Sequence, residues 1–150
     1  MAQSLAKVYL HLIFSTKDRA RVLPDEIRSA LHDYMGGILR EADCSSVELN
    51  TEPDHAHVLF LLSRTATISN VVRDLKKGST NWLREQDAKF RDFHWQHGYG
   101  IFSVSSSNVD PVCEYIRNQR EHHQKHSFQD EFRVFLRKHE VEFDERYVWD

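Results

Sequence analysis

Two stretches of this chain, Val8 to Phe14 and His55 to Leu62, are almost continuously apolar over the length of a strand. Neither shows the 3.6-residue period of an amphipathic helix, and neither alternates cleanly. Strands of this kind are covered on both faces. The chain is therefore expected to fold as a sheet with packing layers above and below it. With 150 residues, 40% of them hydrophobic and 29% charged, it is long enough for one domain, residues 1–150, with a real core. No apolar run approaches the roughly 18 residues that a membrane span needs. The start of the chain lacks the layout of a signal peptide. Cys44 and Cys113 have no metal-site spacing and read as reduced structural thiols, which predicts a cytoplasmic protein.

Between the two apolar stretches, Pro24 opens a helix that Ile27, Leu31, Tyr34 and Ile38 carry to about Arg40. Its Gly36-Gly37 pair is unfavourable in a helix and predicts the close approach of another backbone. Ser46 to Thr51 alternates weakly, and Pro53-Asp54 suits a tight turn, so a hairpin leads into His55. Thr67 or Ser69 caps a second helix with Val71, Val72, Leu75 and Trp82 on its apolar side. After an aromatic and histidine-rich connection, Phe90 to His97, a fourth strand is expected over Ile101 to Val104. Asp110-Pro111 starts a third helix that runs to about His123, and a fourth covers roughly Gln129 to His139. The order β-α-β-β-α-β predicts an α+β fold with a ferredoxin-like antiparallel sheet and extra C-terminal helices. Two helices of that unit cover one face. The other face needs the third helix, from the same chain or from a partner subunit.

Side chains i and i+2 share a strand face, so His55 and His57 project side by side. Two imidazoles so placed can grip a divalent metal, although surface or hydrogen-bonded histidines fit the same pattern. On the third helix Tyr115 and Gln119 are four apart and stack on one face. A tyrosine can act as a nucleophile when a metal or base stabilises its phenolate, and an amide oxygen can complete a two-histidine site. Plain core packing of Tyr115 with Val112 and Ile116 is the alternative. Imidazole, amide and phosphate oxygens together suit Mg²⁺ or Mn²⁺ better than a closed zinc site. His94 and His97, or His122, His123 and His126, could be read as zinc ligands, but no cysteine partner is near, and surface or DNA-contacting histidines are the plainer reading. Trp82, Trp95 and Trp149 could stack bases, but packing is the expected role of at least two of them.

A formal net charge of −3 argues against a bulk nucleic-acid binder. The distribution softens this. Basic residues gather at Lys17, Arg19 and Arg21, and again at Arg73, Lys76 and Lys77, as solvated faces or as a phosphate track.

His55-Ala56-His57 matches the His-hydrophobic-His signature of HUH endonucleases. Tyr115 to Gln119, Tyr-Ile-Arg-Asn-Gln, resembles the single-tyrosine motif of the small bacterial insertion-sequence transposases that move as single-stranded DNA. The likeness covers nearly the whole chain. It includes Tyr9 to Lys17, Lys77-Gly78-Ser79, Trp95 to Gly100, Phe102 to Ser105 and the close Asp144 to Asp150. The resemblance implies a single HUH transposase domain in which His55, His57 and Gln119 hold Mg²⁺ or Mn²⁺, with Glu52 as a secondary candidate. It implies that Tyr115 attacks a DNA phosphodiester, leaving a 5′-phosphotyrosine and a free 3′-hydroxyl. It implies a homodimer whose active site can be shared between subunits and single-stranded DNA hairpins as partners; Lys17, Arg19, Arg73, Lys76 and Lys77 are the candidate DNA contacts by their charge alone. Ala56 is smaller than the valine or leucine common between the two histidines, but it points to the opposite face. The competing readings are a domesticated relative that binds hairpins without cutting and a metal-dependent hydrolase that uses water.

Overall fold

The computed structural model describes residues 2–150. Its centre is a four-stranded antiparallel sheet in the order β2-β3-β1-β4, built from β1 (Tyr9–Ser15), β2 (Ser45–Glu52), β3 (His55–Leu61) and β4 (Gly100–Val104). This is the ferredoxin-like arrangement expected from the element order. The two apolar strands, β1 and β3, lie in the middle, and β1 is buried from Leu10 onward. Pairing of Ser15 with His55, Ile13 with His57 and His11 with Leu59 sets their register.

That register divides the side chains between two faces. Leu10, Leu12, Phe14, Ala56, Val58 and Phe60 share one face and pack beneath α1 (Arg28–Glu41) and α2 (Ile68–Gln86). Helix α1 begins after a short 3-10 turn, Asp25–Ile27, rather than directly at Pro24. Helix α2 is capped by Thr67, whose hydroxyl accepts the Asn70 N–H at 3.2 Å. The close approach predicted at Gly36-Gly37 is absent: a Cβ at Gly36 would meet only side-chain atoms of Arg40 and Ser46, at 3.6 and 3.8 Å. The tight contact lies instead at Gly78 of α2, where a Cβ would fall 2.6 Å from Ile38 Cδ1.

His11, Ile13, His57, Leu59, Gly100 and Phe102 share the opposite face. Two helices of the same chain cover it. Helix α3 (Val109–Arg117) sets Cys113 and Ile116 against Leu59. Helix α5 (Phe128–Lys138) sets Phe128, Phe132 and Leu136 against Ile13 and Phe102. Phe132 crosses β4 so closely that a Cβ at Gly100 would lie 2.5 Å from its ring. The expected continuous third helix is broken: α3 stops at Arg117, Asn118 departs from helical geometry (φ −94°, ψ 22°), and a short α4 (Gln119–His122) follows. Asparagine is a weak helix former that favours caps. Both cysteines are free and buried. Among the described residues, no helix is long and apolar enough to cross a membrane.

Candidate active site

Strand alternation brings His55 and His57 onto the face beneath α3 and α5, each only 1% exposed. Helix α3 is tied down by Asn50, whose amide donates to the Ile116 carbonyl at 2.8 Å, and by an Arg117–Glu48 ion pair. This fixes Tyr115 beside His57, with ring centroids 5.9 Å apart. The break at Asn118 turns Gln119 inward until it is fully buried. Its Nε2 donates to the Tyr115 carbonyl at 3.3 Å, and its Oε1 lies 3.2 Å from His55 Nε2. The structure thus brings together His55, His57, Tyr115 and Gln119, all within one chain.

It also adds a carboxylate that the sequence pattern did not single out, and histidines that the pattern read as surface or DNA-contacting residues. Glu131, from α5, enters the centre of the cluster. Its Oε1 lies 3.0 Å from His57 Nε2, and its Oε2 accepts the Tyr115 hydroxyl and lies 3.2 Å from His123 Nε2. His122 Nε2 is 3.3 Å from the same oxygen, is buried, and has no hydrogen-bond partner. So His122 and His123, expected at the surface, face the site because the break after α3 folds α4 back over the sheet. Behind the cluster, His11 Nε2 is 2.8 Å from His57 Nδ1, and Asp54 Oδ1 is 2.7 Å from His55 Nδ1. The signal for Glu131 was its place on the stripe Phe128, Phe132 and Leu136, where helical spacing puts a carboxylate among apolar neighbours.

Burial controls the charges here. It lowers His57 below the ordinary histidine value; Glu131 opposes this without reversing it. His11 is lowered further, by burial and then by His57. Burial would raise Glu131, but His57, His123 and His55 outweigh it and hold the carboxylate ionised. Burial followed by the Glu131 charge raises the Tyr115 phenol above its ordinary value, so in this arrangement it keeps its proton.

His55, His57, His123 and Glu131 present ligand atoms within 4.8 Å of one another. Such a donor set fits a divalent ion, with the Gln119 oxygen directed into the same space. Glu52 is placed elsewhere. It is buried against Arg120, with Oε2 accepting from Nη2 at 2.9 Å and from Nε at 3.1 Å, and Nη2 also donates to Asp25. A cleft of about 480 Å³ between α3 and α5, lined by Pro111, Val112, Tyr115, Glu131, Val134 and Phe135, opens the tyrosine to solvent.

The basic residues lie away from this site. Arg73, Lys76 and Lys77 on α2 line a groove of about 560 Å³ with Arg84, His94 and His97, on the sheet face opposite the histidines. Lys76 is half-buried, with Nζ bound to the carbonyls of Gln96, His97 and Gly98 at 2.9, 3.1 and 2.6 Å. Burial lowers its pKa to about 8. Lys17 borders a smaller neighbouring cleft that shares His94, and Arg19 lies over the Trp149 ring. Trp95 is buried against Phe14 and Phe93, and Trp82 stacks on Tyr34, so both are engaged in packing.

Comparison with known proteins agrees with this architecture. The ISDra2 transposase TnpA of Deinococcus radiodurans is 25% identical over 116 residues, which cover 74% of this chain and 83% of that protein. A crystallised transposase candidate from Deinococcus radiodurans superposes with a TM-score of 0.62 at 27% identity, covering 79% of this chain and 98% of the other. A REP-associated tyrosine transposase, solved bound to a REP hairpin, has the same fold, with a TM-score of 0.59 at 15% identity over 82% of this chain and 74% of its own. Residues 4–119, which span the sheet, the paired histidines, Tyr115 and Gln119, match the family described as "Transposase IS200 like", and the chain belongs to that family.

Proposed function

We propose that this chain is a metal-dependent single-strand DNA transposase that cuts and rejoins DNA at hairpin-marked element ends through a 5′-phosphotyrosine intermediate. The observation that carries the proposal is the position of the Tyr115 hydroxyl. Tyr115 lines a solvent-open cleft, and its hydroxyl is joined through Glu131 to His57 of the histidine pair. His55, His57 and Gln119 would hold Mg²⁺ or Mn²⁺. The ion, when bound, would polarise the phosphoryl oxygens and supply positive charge to a site that otherwise keeps the phenol protonated. Tyr115 Oη attacks the phosphorus; the new O–P bond replaces the bond to the 3′-oxygen, which leaves as the 3′-hydroxyl. Glu131 already accepts the Tyr115 hydroxyl and is placed to receive its proton. The phosphotyrosine conserves the phosphodiester linkage, so rejoining by a 3′-hydroxyl needs no nucleotide cofactor.

The groove bearing Arg73, Lys77 and Arg84, with Lys17 and Arg19 nearby, is the proposed phosphate track for a DNA hairpin. The hairpin held by the REP-associated neighbour is in keeping with such a partner. We further propose that the protein acts in the cytoplasm as a homodimer, which supplies one tyrosine for each element end. Within one chain α3 already lies over the paired histidines, with the Tyr115 and His57 rings 5.9 Å apart. Sharing would require α3 to leave its own sheet.

The test is a 3′-labelled single strand carrying the element end, incubated with Mn²⁺ and resolved on a denaturing gel. Wild-type protein is expected to form a covalent adduct, and Tyr115→Phe to bind the strand without one. Adduct formation by Tyr115→Phe would refute the assignment, and undiminished cleavage by His57→Ala would refute the metal site.

A further inference from the structure

The hydrogen-bonding partners behind the cluster fix which ring nitrogens face inward. His55 Nδ1 faces the Asp54 carboxylate, which can only accept, so Nδ1 carries the hydrogen. His123 Nδ1 faces the His126 carbonyl at 2.8 Å, with the same consequence. In both rings Nε2 is then the nitrogen directed inward, with its lone pair open to an ion once any proton there is displaced. Gln119 is oriented as firmly: its Nε2 must face the Tyr115 carbonyl, so its Oε1 points in. That oxygen lies 3.2 Å from His55 Nε2 and 2.8 Å from His123 Nε2. His57 directs Nε2 at Glu131, with its Nδ1 backed by His11.

Five side chains therefore converge nitrogen and oxygen atoms able to ligate a cation on one small, buried space. Protons on His57 Nε2 and His123 Nε2 bridge to Glu131 and Gln119, and a divalent ion that displaces them would meet all of these atoms. Ligand atoms about 2.0–2.2 Å from one ion are about 3–4 Å apart, and the separations across the cluster fall within 4.8 Å. Hydrogen bonds from the far nitrogen of each ring to a carboxylate, a carbonyl or another ring are also the usual support of metal-bound histidines. His123 and Glu131 both follow the family-matched segment, which ends at Gln119.

We propose that His123 and Glu131 complete the metal site. Three imidazole nitrogens, one carboxylate and one amide oxygen would then select a transition ion such as Mn²⁺ strongly over Mg²⁺. This extends the metal reading above, which needs only His55, His57 and Gln119. Imidazole-rich sets favour transition ions, whereas Mg²⁺ prefers oxygen ligands and retains its waters. A single carboxylate leaves the loaded site net positive, as an incoming phosphodiester requires.

The test is calorimetric titration of chelator-treated full-length protein with MnCl₂ and, separately, MgCl₂. Wild-type protein is expected to bind one Mn²⁺ at least about a hundredfold more tightly than Mg²⁺. Glu131→Gln and His123→Ala are each expected to weaken Mn²⁺ at least about tenfold without change in circular dichroism. In Zn²⁺-loaded wild-type protein, long-range ¹H–¹⁵N spectra should show metal-bound Nε2 at His55, His57 and His123, a readout that depends on no variant. Mn²⁺ affinity unchanged in both variants but lost in His57→Ala, with His123 Nε2 free of metal, would overturn the larger ligand set and leave the smaller one standing. Absence of Mn²⁺ binding by wild-type protein, with a proton on His123 Nε2 instead, would overturn both.

Discussion

Asp54 touches no predicted ligand atom, yet the structure makes it a control on metal affinity. Its Oδ1 accepts from His55 Nδ1 at 2.7 Å, and its side chain is only 16% exposed. Burial would raise its pKa, but the His55 hydrogen bond and nearby positive charge lower it, so it stays ionised. The carboxylate holds His55 in the tautomer that leaves Nε2 bare. Asp54→Asn keeps an acceptor but loses the charge, so Mn²⁺ affinity should fall about tenfold, or ~1.4 kcal/mol. Asp54→Leu removes the acceptor as well and should approach a hundredfold, or ~2.7 kcal/mol. The turn should survive both changes, because it is the Asp54 backbone carbonyl that accepts the Thr16 N–H at 2.9 Å. Calorimetry with Mn²⁺ measures the affinities, and strand cleavage by both variants should recover at saturating Mn²⁺. Equal affinity across the wild type and both variants would refute the reasoning, because His55 would then not depend on Asp54 for its tautomer.

Glu52→Gln weakens the buried pairing with Arg120 and should cost about 1 kcal/mol in urea unfolding, a figure kept small because Arg120 is half exposed. The same variant should leave Mn²⁺ affinity unchanged; a large loss would place Glu52 in the site. Among the described residues, burial lowers His11, His32, His57, His122 and His139, while Glu131 raises His123. Rings with lowered pKa bind protons only after unfolding. Without metal, the melting temperature should therefore fall as pH drops below about 6.5, and less steeply in His11→Gln; identical slopes would contradict this. Because α3 covers its own chain's histidines, a mixture of Tyr115→Phe and His57→Ala proteins should form no DNA adduct. An adduct in that mixture would show that the tyrosine helix crosses to a partner.

Local patterns carried far in this chain. Continuous apolarity in β1 and β3 predicted coverage of both sheet faces, and the i, i+2 spacing put His55 and His57 on one face. Thr67 was legible as a cap, and Pro53-Asp54 as a turn. Helical spacing paired Tyr115 with Gln119, although the chain breaks between them at Asn118. That break was not legible, because Asn118 occupies an otherwise helical run and its effect depends on how Gln119 docks over the sheet. Consequently His122 and His123 read as surface residues. Glu131 was hidden for a related reason. A carboxylate in an acidic stretch reads as solvated until α5 is known to lie over β1 and β4. Gly36-Gly37 misled in the opposite direction, since the close helix contact is made by Gly78, and which glycine meets a neighbour depends on how α1 and α2 cross.

The central claim is that Tyr115 becomes covalently joined to the 5′ end of the cut strand. It is tested most directly by digesting the trapped adduct with trypsin and a nuclease, then sequencing the modified peptide by mass spectrometry. The peptide 92–117 contains both Tyr99 and Tyr115. A nucleotide attached through phosphate to Tyr115 alone is expected. A nucleotide on Tyr99, or cleaved DNA with no modified peptide, would contradict it.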